Sequence, residues 1–201
     1  MKKIYRWQLK DIIMVGILSL FFAVIYLGTV YLASSVSVML APFGLSPFAN
    51  EILFGVWFMA STLAAYIIQR PGVATVTEML AALIEVLMGN FYGPLVLVSG
   101  FLQGIGAEAG FAAFRYKSFH MGSMCAAAVG SCITSFIWGF FRSGFMALSP
   151  GLLICMFLVR LASSLLFAGV LMKLCGDRLA KSGVLKSYPL GEQAEACSQD
   201  A

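Results

Sequence analysis

Charge is what this chain has least of. Only 11% of its 201 residues are Asp, Glu, Lys or Arg, while 61% are hydrophobic. Soluble domains are about a quarter charged and roughly 45–50% apolar. A soluble fold of this length could not hide so much apolar surface, and the secreted, disordered, coiled-coil and nucleic-acid-binding classes fall with it. Histidine is nearly absent: His120 stands alone, and none of the five cysteines sits in a CxxC pair. That excludes a zinc set and a disulfide framework. Cys125, Cys132 and Cys155 lie in apolar runs and read as small buried hydrophobes; Cys175 and Cys197 complete the count. There is no GxxxxGK[ST] phosphate loop, no HExxH, no GxSxG and no paired-aspartate motif. The chain therefore offers no ATPase site, no nucleophile with a partnering histidine, and no indicated cofactor. Nor is the N-terminus a cleavable signal, since the apolar stretch after Lys10 is too long and no small-residue site closes it. What remains is an all-α integral membrane protein of the cell membrane.

Uncharged runs fall at 12–50, 52–69, 86–107, 118–141 and 143–159. A helix needs about 20 apolar residues to cross the hydrocarbon core. The first run is too long for one crossing and is broken by Pro42 and Pro47. It resolves into a first span near 11–34, a long outer connection over 35–48, and a second span near 49–69. Arg70-Pro71-Gly72 ends the second span, and proline suits the first position of a third helix that runs to Met88. Further spans follow near 94–114, 120–142 and 150–174, six in all. With both termini inside, Lys2, Lys3, Arg6 and Lys10, then Arg70, then Arg115 and Lys117, and finally four basic residues after 172 mark the cytoplasmic side. That is eleven of the 13 basic residues; Arg142 lies near an outer end and Arg160 within the sixth span. Residues 1–175 make one transmembrane unit. From 176 the composition turns polar, as expected of a poorly ordered cytoplasmic tail to 201.

The acidic residues carry the functional signal. An ionisable group inside a span costs about 2.5–3.5 kcal/mol on insertion scales, so it must pair or face a polar cavity. Glu51, Glu78, Glu85 and Glu108 all fall within or at the ends of spans, opposed by Arg142 and Arg160. Glu78 and Glu85 are seven apart and share one face of the third helix, about 10 Å apart in depth. Glu78 could instead pair with Arg70 or Arg115 near the inner surface, and Glu85 with Arg160 or Arg142 through packing. In the fourth span Gly100, Gly104 and Glu108 follow i, i+4, i+8, with a second small pair at Gly106 and Gly110. This spacing belongs to close helix packing, which would hold Glu108 against a neighbour. Gln103 points about 140° from Glu108, so one pocket claims both only with difficulty.

Ser131, Ser135, Trp138 and Arg142 form one stripe of the fifth span, and Asn50, Trp57 and Ser61 one of the second. Such stripes are too polar for lipid and should face inward, although a single Trp or Tyr can equally serve as an interfacial anchor. Asn90 and Tyr92 sit on the outer turn between the third and fourth spans. Together these positions outline an outward-facing, net-acidic pocket that suits a cationic aromatic ligand.

The blocks Arg70-Pro71-Gly72-Val73-Ala74-Thr75…Glu78 and Gln103-Gly104-Ile105-Gly106-Ala107-Glu108, on six spans with inside termini, resemble the YkoE-type substrate-binding (S) components of energy-coupling factor (ECF) transporters. The likeness covers roughly 8–186 and is most specific from Gln69 to Phe114. It implies a vitamin-capture subunit for thiamine or its hydroxymethylpyrimidine precursor, working with a transmembrane coupling protein and two ATP-hydrolysing subunits. It also implies an acidic side chain on the aminopyrimidine and aromatic rings flanking it, parts that Glu85, Asn90, Tyr92, Trp57 and Trp138 could play, with Glu78, Glu108, Gln103 and Arg142 completing the candidate set. Many S components dock through an Ala-x-x-x-Ala pattern on the first helix; here Gly16, Ser19 and Ala23 stand nearest. Another vitamin or cationic heterocycle as ligand, and an intramembrane enzyme or scaffold, are the competing readings.

Overall fold

The computed structural model describes residues 7–199, and their regular structure is entirely helical. Lys2, Lys3 and Arg6 lie outside the described residues, and so does the side chain of Cys197. The first helix, α1 (Leu9–Leu40), starts where Asp11 accepts a hydrogen bond from the Gln8 backbone N–H (2.8 Å), satisfying one of the donors a helix start leaves open. The same carboxylate pairs with Arg70 at 3.2 Å, which ties the start of α1 to the turn before α4. Leu20, Phe21 and Val24 are exposed on one side of α1, while Phe22, Ala23 and Tyr26 are buried on the other. The exposed apolar face suits lipid and the buried face suits the bundle.

The outer connection expected over 35–48 is shorter than that. Serines stay helical when the hydroxyl bonds a carbonyl one turn back, and Ser35 Oγ donates in this way to the Tyr31 carbonyl (2.9 Å). Helix α1 therefore continues to Leu40 and gives way only at a 3-10 turn, Ala41–Phe43, which contains Pro42 and is followed by Gly44 at φ 70°. Ser37 and Ser46, whose Oγ atoms are 2.9 Å apart, clasp the two ends of this loop.

The second expected span is interrupted. It consists of α2 (Phe48–Leu53), a 3-10 segment over Phe54–Phe58, and α3 (Met59–Ile68). The interruption lies where Gly55 meets the backbone of a later helix: a Cβ here would come within 2.2 Å of the Ser163 carbonyl oxygen, and Gly55 N–H donates to Ser163 Oγ (3.0 Å). All ten residues of α3 are buried, so α3 is the centre around which the other helices pack.

After Gln69 (φ 54°) and Gly72 (φ 86°) comes α4 (Val73–Leu87), then α5 (Leu95–Ala113) and α6 (Met121–Arg142). Small residues bring α5 close to both neighbours. A Cβ on Gly104 would approach Thr75 Cα of α4 to 2.7 Å, and one on Gly110 would approach Ala127 Cα of α6 to 2.4 Å. Helix α7 (Pro150–Ser164) continues through a π-helical stretch, Leu165–Leu171, into α8 (Met172–Lys181), so the last rod runs beyond the expected end at 174. The described residues after 176, up to 199, are not loose: α9 (Pro189–Gln199) folds back, Leu185, Tyr188 and Leu190 are buried, and Tyr188 Oη donates to the Lys10 carbonyl (2.8 Å). Apolar side chains placed among the polar ones supply the buried area that composition alone conceals.

Among the described residues, five helical segments are long and apolar enough to cross a bilayer: Leu9–Phe43, Phe48–Ile68, Leu95–Ala113, Met121–Arg142 and Pro150–Lys181. Helix α4, at 15 residues, is shorter than these and corresponds to the third of the six spans expected from sequence.

Candidate functional site

Helices α1, α2, α4, α5, α6 and α7 enclose a cavity of about 550 Å³. Pockets for small organic ligands span roughly 300–1,000 Å³, so the space suits a molecule of one or two rings.

Helix α4 supplies the carboxylates. Glu78 and Glu85 lie on its inward face with Ala82 between them, and both glutamates are almost completely buried. Gly100 of α5 lies against this face, where a Cβ would come within 2.8 Å of Ala82 Cβ. Glu78 Oε2 accepts hydrogen bonds from Tyr26 Oη (3.2 Å) and the Ser61 N–H (3.1 Å), and Tyr26 Oη in turn accepts from the Ala60 N–H (2.9 Å). Among the described residues Glu78 pairs with neither Arg70 nor Arg115, the partners considered for it, and Arg70 is held by Asp11 instead. Glu85 Oε1 accepts from Asn90 Nδ2 (2.7 Å), and Asn90 Oδ1 accepts from the Tyr92 N–H (2.7 Å), so the turn after α4 is organised by the carboxylate it follows. Among the described residues Glu85 makes no salt bridge with an arginine.

Aromatic and amide groups complete the walls. Trp57 packs edge-on to Phe54, ring centres 5.5 Å apart, and Trp138 of α6 carries a buried Nε1–H with no acceptor among the described residues. Gln103 Nε2 donates to Ser99 Oγ (2.9 Å), and its backbone carbonyl accepts from Ser131 Oγ (2.8 Å), which locks α5 to α6 behind the cavity. The Arg142 guanidinium sits 5.0 Å from the Tyr92 ring centre, a cation–π contact.

Of the nine candidate residues, Trp57, Glu78, Glu85, Asn90, Tyr92, Gln103, Trp138 and Arg142 all line this one cavity. Glu108 does not. It faces the start of α4, where its carboxylate accepts from the N–H groups of Gly72 (2.6 Å), Ala74 (3.1 Å) and Thr75 (3.4 Å) and from Tyr116 Oη (2.6 Å). The glycine face that brings α5 against α4 places Glu108 over the open N–H groups of that helix, where a carboxylate is favoured.

This geometry has close counterparts. A family model described as "ABC-type cobalt transport system, permease component" matches residues 10–134. The HMP/thiamine permease protein YkoE of Bacillus subtilis (strain 168) is 43% identical over 187 residues, which cover 93% of this chain and 92% of that one. A crystal structure of an S-component of an ECF transporter superposes with a TM-score of 0.92 at 40% identity, covering 97% of this chain and 96% of the other. The chain belongs to the YkoE-type S components of ECF transporters. It is thus a multi-pass membrane protein of a transport family, and its relatives are transport components rather than enzymes.

The S component also has a feature in its cavity wall that the candidate set omits. Glu51 of α2 and Arg160 of α7 form a two-pronged ion pair, Nε to Oε2 at 2.5 Å and Nη2 to Oε1 at 2.7 Å, with each side chain only 2% exposed. Both residues were visible as in-span charges, but they lie 109 positions apart and no local spacing joins them. An in-span arginine demands a carboxylate at its own depth, and that demand was the available signal. Tyr26, the hydrogen-bonding partner of Glu78, carried no signal beyond being a tyrosine on the inward face of α1.

Proposed function

We propose that this S component captures thiamine, or its hydroxymethylpyrimidine precursor, in the 550 Å³ cavity, and delivers it by docking on a transmembrane coupling protein driven by two ATPase subunits. The observation that carries the reading is the joint lining of one cavity by two carboxylates, Glu78 and Glu85, with amides and aromatic rings. A permanently cationic, flat heteroaromatic ligand gains from carboxylates through charge and from indole and phenol rings through stacking and cation–π contact. The name of the Bacillus relative, an HMP/thiamine permease, supports the same class.

In this reading Glu85 and Asn90 take the aminopyrimidine and Trp57, Trp138 and Tyr92 flank the rings. Trp138 offers the ligand a ready donor, Glu78 and Gln103 line the deeper wall, and Arg142 stands on Tyr92. Glu108 serves the fold and not the ligand. Six spans follow if α4 is a short third crossing: its 15 residues rise about 22 Å. The basic residues then gather with both termini on the cytoplasmic side. Residues 1–175 form the substrate-binding unit and 176–201 a cytoplasmic extension.

Calorimetric titration of the purified protein with thiamine and with the hydroxymethylpyrimidine tests the reading. Saturable binding of either, with quenching of tryptophan fluorescence, is expected. A flat titration with both refutes it and leaves another vitamin or cationic heterocycle as the ligand.

A further inference from the structure

A cavity meant for a cation should not carry two arginines in its wall, yet Arg142 and Arg160 both line it. Their surroundings differ. Among the described residues Arg142 has no carboxylate within salt-bridge distance and rests on Tyr92. Arg160 is paired with a carboxylate and stacked on a ring. Its Nε and Nη2 donate to both oxygens of Glu51, its Nη1 donates to Ser135 Oγ (3.3 Å), and the Phe54 ring centre lies 3.6 Å from Cζ. Three of its five N–H donors and one ring face are thus taken, and its charge is met by the Glu51 carboxylate. A buried ion pair of this kind is about neutral for stability when compared with apolar residues of the same volume, so folding energy alone does not account for it.

We propose that Glu51 is a specificity-determining residue of the cavity: by neutralising Arg160 in the wall, it leaves two carboxyl groups, Glu78 and Glu85, against the single guanidinium of Arg142 to set the sign of the charge that a ligand meets. This rests on the thiamine-class reading above. Without Glu51 the wall would present a second uncompensated guanidinium beside Arg142, and a cation bound in the same 550 Å³ would meet added repulsion at short range in a medium of low dielectric constant. A neutral ligand of the same ring type would feel little of this. The pair thus separates ligands by charge and not by shape.

The test compares affinities of thiamine and of the uncharged hydroxymethylpyrimidine, by calorimetry, for the wild type, Glu51→Gln and the double variant Glu51→Gln/Arg160→Gln, with thermal unfolding followed on each. Glu51→Gln should weaken thiamine on the order of tenfold or more, a change expected of one unpaired charge nearby, while the neutral pyrimidine changes by about twofold or less. The double variant, which carries neither charge, should regain the wild-type ratio of the two affinities. A wild-type arm needs no variant to fold: the pyrimidine bearing a 5-carboxylate in place of the hydroxymethyl group should bind more weakly than the alcohol. Equal losses for both ligands in Glu51→Gln, a double variant whose ratio stays low, or a carboxylate that binds the wild type more tightly than the alcohol would each overturn the proposal. If the wild type binds neither thiamine nor the pyrimidine, it is the thiamine-class reading that fails.

Discussion

Replacing Glu108 with alanine separates a role in folding from a role in binding. The carboxylate accepts three backbone N–H groups at the start of α4 and the Tyr116 hydroxyl, the closest contacts being 2.6 Å. Loss of a helix N-cap costs about 0.5–2 kcal/mol, and a hydrogen bond to a charged group contributes about 1.5–3 kcal/mol. Glu108 is only half-buried, so water can replace part of what is lost. A net destabilisation of about 2–3 kcal/mol follows for Glu108→Ala. For a chain of this size, each kcal/mol shifts Tm by about 2–4 °C, giving a fall of about 5–10 °C in a fluorescence-monitored melt of the detergent-solubilised protein. Glu108→Gln keeps one acceptor oxygen and should lose about half as much. Because Glu108 does not line the cavity, the folded variant should bind thiamine within about threefold of the wild type, well under the tenfold that 1.4 kcal/mol of lost contact would produce. An unchanged Tm together with affinity reduced more than tenfold would refute this reasoning and return Glu108 to the binding site.

Two further outcomes are expected. Glu85 has one oxygen engaged by Asn90 and, among the described residues, the other accepts no hydrogen bond; Glu85→Gln should therefore weaken thiamine binding more than Trp57→Phe does, by calorimetry, and equal affinity in the Glu85 variant would remove that residue from the site. Gly110→Ala would place a Cβ 2.4 Å from the Ala127 backbone and force α5 and α6 apart, at about 1–3 kcal/mol, whereas Gly16→Ala, with nothing within 4 Å, should leave the melt unchanged.

The parts of the fold that repeat along one helix were legible in the sequence. The stripe Ser131, Ser135, Trp138, Arg142 and the pair Glu78, Glu85 depend only on helical periodicity, and all but Ser131, whose hydroxyl bonds the Gln103 carbonyl, line the cavity. Contacts that join distant segments were not legible. The Glu51–Arg160 pair bridges 109 positions, and the pairing of Arg70 with Asp11, in preference to Glu78, depends on where α1 begins relative to the α3–α4 turn. Helix irregularity was equally hidden. The 3-10 segment in the second span carries no proline and is associated only with the close approach of Gly55 to Ser163. The π-helical stretch Leu165–Leu171 is an apolar run like any other. The serines near residue 35 resemble a loop by composition, yet they stay helical because Ser35 bonds back to a carbonyl of its own helix. Glu108 shows both sides: its glycine-lined face correctly placed it against a neighbour, but only the fold shows that the neighbour is the open end of α4.

By composition, the in-span glutamates are four equal charges; their partners make them four different groups. Glu51 is cancelled by a guanidinium, and Glu108 lies outside the cavity over the N–H groups that open α4, so neither presents charge to a ligand there. Glu78 is held by a phenol and an amide and Glu85 by a single side-chain amide, and among the described residues neither is paired with a basic side chain. The carboxyl groups of the cavity that lack a basic partner therefore lie on one face of α4, and among the described residues Arg142 lines the cavity without a carboxylate partner. A cationic ring held along that face would be attracted at two depths about 10 Å apart, a spacing comparable with a two-ring ligand. The helix that carries both charges is also the one whose start is fixed by Glu108 and whose end is fixed by Asn90. Its shortness and its double capping have one physical consequence: the two carboxylates are held at fixed positions in the cavity wall before any ligand arrives, so the cost of ordering them falls on folding and not on binding.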